Sequence, residues 1–254
     1  MSAESMTSKD SFLQNVRRAL GREQGQPPTP DDASHIALSR DQVEDRAKAI
    51  QDEMATRADE LFDALEQSAE QGGWNVVRVA GPHEAARHIA EIARDLEARS
   101  ILRSTHPVLE GMGLEALLDG SGISLDVMAI GDATDNDERD RRREKLRRQA
   151  IDADMGITGV DYAVAETGSC VLLPRKGLSR LVSLLPPAHV AVVEKGQVLP
   201  SLDELFTLRR REFLHENLGS YMNLITGPSR SADIEYQLVT GVHGPGEVHM
   251  ILVG

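Results

Sequence analysis

The sequence predicts an α/β fold, a mainly parallel sheet with helices on both faces, extended by an N-terminal helical arm. Two observations predict it. From Trp74 onward, short apolar runs of period two alternate with stretches whose apolar residues recur every three or four positions, the pattern of strands joined by crossover helices. At 254 residues the chain is long enough to bury one large core with an arm beside it.

The arm is assigned to residues 1–38 and the domain to 39–254. Phe12, Leu13, Val16 and Leu20 lie on one helical stripe that stops at Gly21, a common position just past a helix end. Gln24 to Asp32 contains Pro27, Pro28 and Pro30, and prolines without N–H donors favour an extended linker. The arm can thereby reach a neighbouring subunit, as in a homo-oligomer. Ser39 with Gln42 matches a capping box, and Val43, Ala47, Ile50, Met54, Leu61 and Leu65 follow at helical spacing. One long amphipathic helix ending near Gly72 is expected. A strand over 75–80 precedes a helix that opens at Gly81-Pro82 and carries Ala85, Ile89, Ile92 and Leu96 on one face. Then come a strand at Ser100–Arg103, a brief helix at Gly113–Leu118, a strand at Ser124–Ile130 and a charged helix at Asp137–Ile151. Strands are expected at 160–165, 169–173 and 189–193, followed by a helix that Ser201 and Glu204 would cap. Tyr221–Ile225 and Val248–Val253 should close the same sheet, whose ligands would bind beyond the strand C-terminal ends.

Composition narrows the function. A net charge of −13 and a pI near 5.1 repel nucleic acid and anionic lipid. Only 3% of residues are aromatic, too few for a base-stacking surface. No apolar run approaches the ~20 residues of a membrane span, and Met1–Asp10 lacks the apolar stretch of a signal peptide. A cytoplasmic protein is expected. The lone cysteine, Cys170, excludes an internal disulfide and an iron–sulfur or zinc centre held by cysteines of this chain alone. Flanked by Val171, Leu172 and Leu173, it reads as a small buried hydrophobe. His189, beside an apolar strand, reads as a hydrogen-bonded core histidine. No metal-ligand spacing is present. The run 137–148 holds seven basic residues against four acidic ones, with Glu138–Arg142 and Glu144–Arg148 in favourable i,i+4 order. It reads as a solvated face or a surface for an acidic protein partner.

Candidate site residues lie in polar turns between the later strands. Thr158, Gly159 and Asp161 precede one stretch, and Glu166, Thr167 and Gly168 follow it. Glu166 is either an exposed turn residue or a rim carboxylate acting as base or nucleophile. Gly227, Ser229, Arg230 and Asp233 form a second turn. Arg230 there either pairs with Asp233, Glu235 or Glu166, or clamps a carboxylate or phosphate bidentately. His243 and Gly244 sit in a tight glycine-flanked turn, where His243 is open to acid–base or ligand contact.

These segments together resemble the LutC/YkgG family of lactate-utilization proteins, built on the LUD domain. Asp161 after Thr158-Gly159-Val160 stands where the family pattern has Asp after Thr-Gly-Ala. Ser231 stands where the family has Thr, which keeps the hydroxyl, and Cys170 where an aliphatic residue is usual. The resemblance covers about residues 70–254 and is strongest after Gly156. It implies a NagB/RpiA/CoA-transferase-like fold and a subunit or partner role in oxidation of L-lactate to pyruvate. It also implies that the clusters sit on LutA-like and LutB-like iron–sulfur proteins, so that this chain binds no cofactor alone and is an accessory rather than an independent redox enzyme. A stand-alone enzyme of acyl-CoA transfer or sugar-phosphate conversion, using Glu166 and Arg230, is the alternative expectation.

Overall fold

The computed structural model describes Phe12, Asn15, Val16, Arg18 and residues 38–129, 135–173, 180–215, 221–234 and 237–254, with only the backbone for 232–234 and 237–238. The four arm residues are helical, with Phe12 and Val16 exposed. The rest of the expected docking helix, the proline linker and residue Ile130 lie outside the described residues.

The expected long helix is two helices, α1 (Arg40–Thr56) and α2 (Ala58–Gly72), separated at Arg57. The Thr56 hydroxyl donates to the Asp52 carbonyl at 2.8 Å, a back-bond that bends helices. Arg57 spans the break by pairing with Glu53 and Glu60. Ser39 and Gln42 do form the capping box that starts α1. The chain continues through β1 (Asn75–Val79), α3 (Pro82–Asp95), β2 (Ser100–Arg103), α4 (Pro107–Glu110), α5 (Leu114–Leu118), β3 (Ser124–Val127) and α6 (Asn136–Asp152). After these come β4 (Met155–Gly159), β5 (Tyr162–Val164), β6 (Ser169–Leu172), α7 (Leu181–Leu184), β7 (Ala188–Glu194), β8 (Val198–Leu199) and α8 (Leu202–His215). The last strands are β9 (Asn223–Ile225), β10 (Arg230–Ile234), β11 (Gln237–Thr240) and β12 (Glu247–Val253).

Six strands form one wholly parallel sheet in the order β1-β12-β7-β4-β2-β3. On one face Ile157, Val190, Val192 and Ile251 pack against Ala85, Ile89 and Ala93 of α3 and against Leu109 and Leu114. On the other, Ala191, Val193, Met250 and Leu252 meet Leu61, Phe62 and Leu65 of α2. Strands covered on both faces read as continuous apolar runs, and every residue of β4 is buried.

The predicted single sheet is corrected at two places. Residues 160–165 do not form a strand of the main sheet. The buried strand there is β4, and β5 belongs to a second, four-stranded sheet, β8-β5-β6-β9, which also takes the strand expected to close the main sheet near Ile225. Its inner face, Ala163, Cys170 and Leu172, joins the α2 core, while Val164, Val171 and Leu199 pack on Ile50 of α1 and Leu205 of α8. A β10–β11 hairpin stands apart from both sheets.

Candidate functional site

Where each turn points depends on which sheet its strand belongs to, and this separates the candidate residues into two groups. In the first, Thr158 is 1% exposed, and its Oγ1 lies 2.9 Å from Nε2 of His189. Gly159 ends β4 so close to α4 that a Cβ would lie 2.3 Å from His106 Nδ1. The Asp161 carboxylate accepts the Leu173 N–H at 2.6 Å, and the Asp161 N–H donates to Val171 at 2.9 Å. These bonds close the open end of the β5–β6 hairpin, a structural task for Asp161. Gly159 is the last residue of β4, at the C-terminal end of that strand.

The second group gathers at the last turn of α2. Gly168 has φ +63°, and a Cβ there would come within 2.5 Å of the Ala69 nitrogen. The Ser68 hydroxyl donates to the Ala165 carbonyl at 2.6 Å, so the Glu166–Gly168 turn sits directly on the helix. Glu166 itself is exposed, and its N–H donates to Pro200 at 3.0 Å. Thr167 Oγ1, Ser169 Oγ and Thr226 Oγ1 form a hydroxyl chain with contacts of 2.7 and 2.6 Å, which links this turn to the one after β9. There Gly227, at φ +88°, approaches so near that a Cβ would sit 2.2 Å from the Gly72 carbonyl oxygen.

Arg230 donates from one guanidinium nitrogen to that Gly72 oxygen at 3.1 Å. A cation on the last carbonyls of a helix complements its dipole, and this carbonyl is the partner the guanidinium has among the described residues, which include the Glu166 side chain but not those of Asp233 and Glu235. The helix ends in a Schellman turn: Gly73 has φ +94° and donates to Glu70 at 3.0 Å, and Trp74 donates to Ala69 at 3.0 Å. Ser229 ties in the third loop. Its N–H donates to Pro245 at 2.8 Å, its carbonyl accepts from Gly241 at 2.9 Å, and its Oγ accepts the His243 N–H at 3.2 Å. Gly244 lies against Ser229, a Cβ position 3.4 Å from its Cβ, and His243 is exposed. The Asp233 side chain lies outside the described residues.

Glu166, Arg230 and His243 therefore sit on loops brought to one helix end, beside the N-terminal ends of β1 and β12. That is the opposite rim from the one expected. The turn after Thr158 leaves the parallel sheet forwards, whereas the turns after β5 and β9 leave the smaller sheet and the 241–246 loop enters β12 from behind.

Beneath these loops lies a buried polar pair. His189 and Trp74 are 0% and 3% exposed, with ring centroids 6.1 Å apart. Burial, helped by the nearby His249, pushes the His189 pKa down to about 3, so the imidazole is neutral. Its Nδ1 and the Trp74 Nε1 have no hydrogen-bond partner among the described residues. A buried orphan of this kind costs about 1–3 kcal/mol. His189 was legible as a core histidine. Trp74 was not, since nothing in a lone tryptophan before a strand shows what its indole nitrogen meets. The Cys170 thiol, 0% exposed, is pushed up by burial and is no nucleophile.

Elsewhere, α6 carries the expected Glu138–Arg142 and Glu144–Arg148 pairs on an exposed surface. Among the described residues no group of three or more His, Cys, Asp or Glu side chains is placed to hold a metal ion, and no helix is long and apolar enough to cross a membrane.

A parallel six-stranded α/β domain with a smaller sheet packed over helix α2 on one face, joined by glycine-fitted turns, defines the class of protein. The chain belongs to the LUD domain family, whose model matches residues 62–253. It is similar to Lactate utilization protein C of Bacillus subtilis (strain 168), 28% identical over 256 residues, with 100% of this chain and 99% of that one covered. With Lactate utilization protein C of Halalkalibacterium halodurans it shares 35% identity over 166 residues, 65% of this chain and 67% of the relative. It is also 26% identical over 250 residues to the uncharacterized electron transport protein YkgF of Escherichia coli (strain K12), where 82% of this chain spans 51% of the relative. Among solved structures, a DUF162 family protein from Deinococcus radiodurans aligns with a TM-score of 0.49 and 18% identity, over 78% of this chain and 98% of that one.

Proposed function

We propose that this chain serves lactate utilization as the cluster-free partner of LutA-like and LutB-like iron–sulfur proteins that oxidise L-lactate to pyruvate. The observation that carries the reading is the end-to-end likeness to Lactate utilization protein C of Bacillus subtilis, 99% of which is covered. Two further features support it. The single cysteine is buried, and clusters are held by several thiolates. The chain also spans only 51% of Lactate utilization protein B of Shouchella clausii and 51% of YkgF, a protein named for electron transport. The remaining half of those longer proteins is where electron carriers would sit beside a unit like this one. In this reading the loops at the end of α2, with Glu166, Arg230 and His243, form the face that meets a small anion or the partner proteins.

Deleting the gene should abolish growth on lactate as sole carbon source, and the wild-type chain should restore it. Restoration that fails with Glu166→Ala plus Arg230→Ala would assign the work to this face, and full restoration would assign the chain a scaffold role. A deletion strain that grows normally on lactate, with no iron–sulfur protein co-purifying with the tagged chain, would overturn the reading. Turnover of CoA thioesters or phosphosugars by the purified chain alone would replace it with the stand-alone enzyme.

A further inference from the structure

Phenylalanine is scarce in this chain, and most of it faces outward. Of the four present, Phe62 belongs to the core, whereas Phe12, Phe206 and Phe213 are 65%, 52% and 67% exposed. Two of the three share one helix. Helix α8 turns Leu205 and Leu208 inward onto Ile50 of α1, and it turns Phe206 and Phe213 out. Seven residues make two helical turns, so both rings stand on one face, about 10.5 Å apart along the axis. Arg210, four residues after one and three before the other, shares that face. The third ring lies in the N-terminal arm, where Phe12 and Val16 are helical, exposed and one turn apart.

Large apolar side chains gathered on one helix face mark a contact surface when their own fold leaves them bare. The path of the chain shows what reaches this one. Arg210 donates to the Leu38 carbonyl at 2.8 Å, and Arg40 donates to the Leu214 carbonyl at 3.2 Å. The polypeptide therefore enters the domain against the C-terminal half of α8, beside the face that carries the two rings. Residues 19–37 join this point to the arm, and a coil of that length reaches about 25 Å on average. Pro27, Pro28 and Pro30 within it favour an extended path, which carries the arm away from its own domain. In the single chain the arm stripe and the α8 face both stand uncovered, and a helix this short is marginal in water without a surface to pack on.

We propose that the Phe206–Phe213 face of α8 receives the N-terminal helix of a second copy of this chain, with Phe12 and Val16 packed against it, so that two chains exchange arms. The same pair of surfaces then meets twice about a two-fold axis, and association closes at the dimer. Six rings, each losing on the order of 100 Å² of surface, with the side chains around them, bring the buried area to the ~1,200 Å² at which specific interfaces begin. The dimer stands or falls independently of the lactate reading.

Sedimentation velocity of the full chain, from low micromolar to a few hundred micromolar, tests the exchange. The wild type should sediment as a dimer of the 27.7 kDa chain. Phe206→Asp with Phe213→Asp, and separately Phe12→Asp with Val16→Asp, should each raise the dissociation constant about a hundredfold or more, because every contact is lost twice. Ile151→Asp, at an exposed apolar residue of α6, should leave it unchanged. Circular dichroism should show the same fold in all the variants, and the arm pair lies outside the domain core, so its effect cannot come from unfolding. A wild type that stays monomeric throughout overturns the proposal, whether its arm then lies on its own α8 or serves a different protein. A dimer that survives either double substitution overturns it too, since the contact would then lie on another face.

Discussion

A methyl group at position 168 would meet the backbone of Ala69 at 2.5 Å and adopt a φ of +63°, two penalties that add. Gly168→Ala should therefore lower the unfolding free energy by about 2–4 kcal/mol, whereas Gly111→Ala, with open space around it, should change it by less than about 0.5 kcal/mol. Urea denaturation of both variants checks the pair. His189 sets a pH dependence of definite sign. Its pKa is pushed down to about 3 in the folded chain and returns to about 6.5 on unfolding, so the unfolded state takes up a proton that the folded state refuses. The stabilising contribution is complete above about pH 6.5 and drains away as pH falls toward 3, at up to roughly 1.4 kcal/mol per pH unit. His189→Gln should flatten this limb in denaturation curves measured between those pH values. An unchanged slope would mean that the buried imidazole is already charged.

At the scale of elements, stability follows how many faces are covered. All of β4 and all of β7 but Glu194 are buried, while α6 buries Ala150 alone among its residues and otherwise holds itself with exposed ion pairs worth a few tenths of a kcal/mol each. Hydrogen exchange should show the amides of Val190 to Val193 opening only with global unfolding, and those of Arg141 to Lys145 orders of magnitude sooner. Equal protection of the two would show that α6 is covered by something the isolated chain does not display. The elements also show what was readable beforehand. Helix α3 was plain because its apolar stripe and Pro82 at the first turn agree. Strand β4 was hidden because Gly156 and Gly159 interrupt its apolar run, and both glycines answer to distant chain: a Cβ on Gly156 would lie 1.8 Å from the Val182 carbonyl oxygen. The break between α1 and α2 was hidden for a related reason, since the apolar spacing continues through it and only the Thr56 back-bond marks it.

For the whole molecule, the polar turns were visible in the sequence and their common destination was not. Turn chemistry is local, and glycine with Thr, Ser or Asp announces itself. Which rim a turn reaches depends on the sheet that claims its strand, a long-range choice made by pairs such as Cys170 with Ile225. Hence Asp161 and Glu166, five positions apart, stand at opposite ends of one hairpin roughly 15 Å long, the first bonded within the hairpin and the second exposed on the loop face. The order of the main sheet has a consequence for how the protein is made. Among the described residues the first strand, β1, has one neighbour, and that neighbour is β12, so nascent chain leaving the ribosome must carry an unpaired Val76–Val79 edge until residue 253 has been added. Folding of this sheet can only finish after about 174 further residues, from Val79 to Val253, have emerged, and the interval is one in which a chaperone would find Asn75–Val79 exposed.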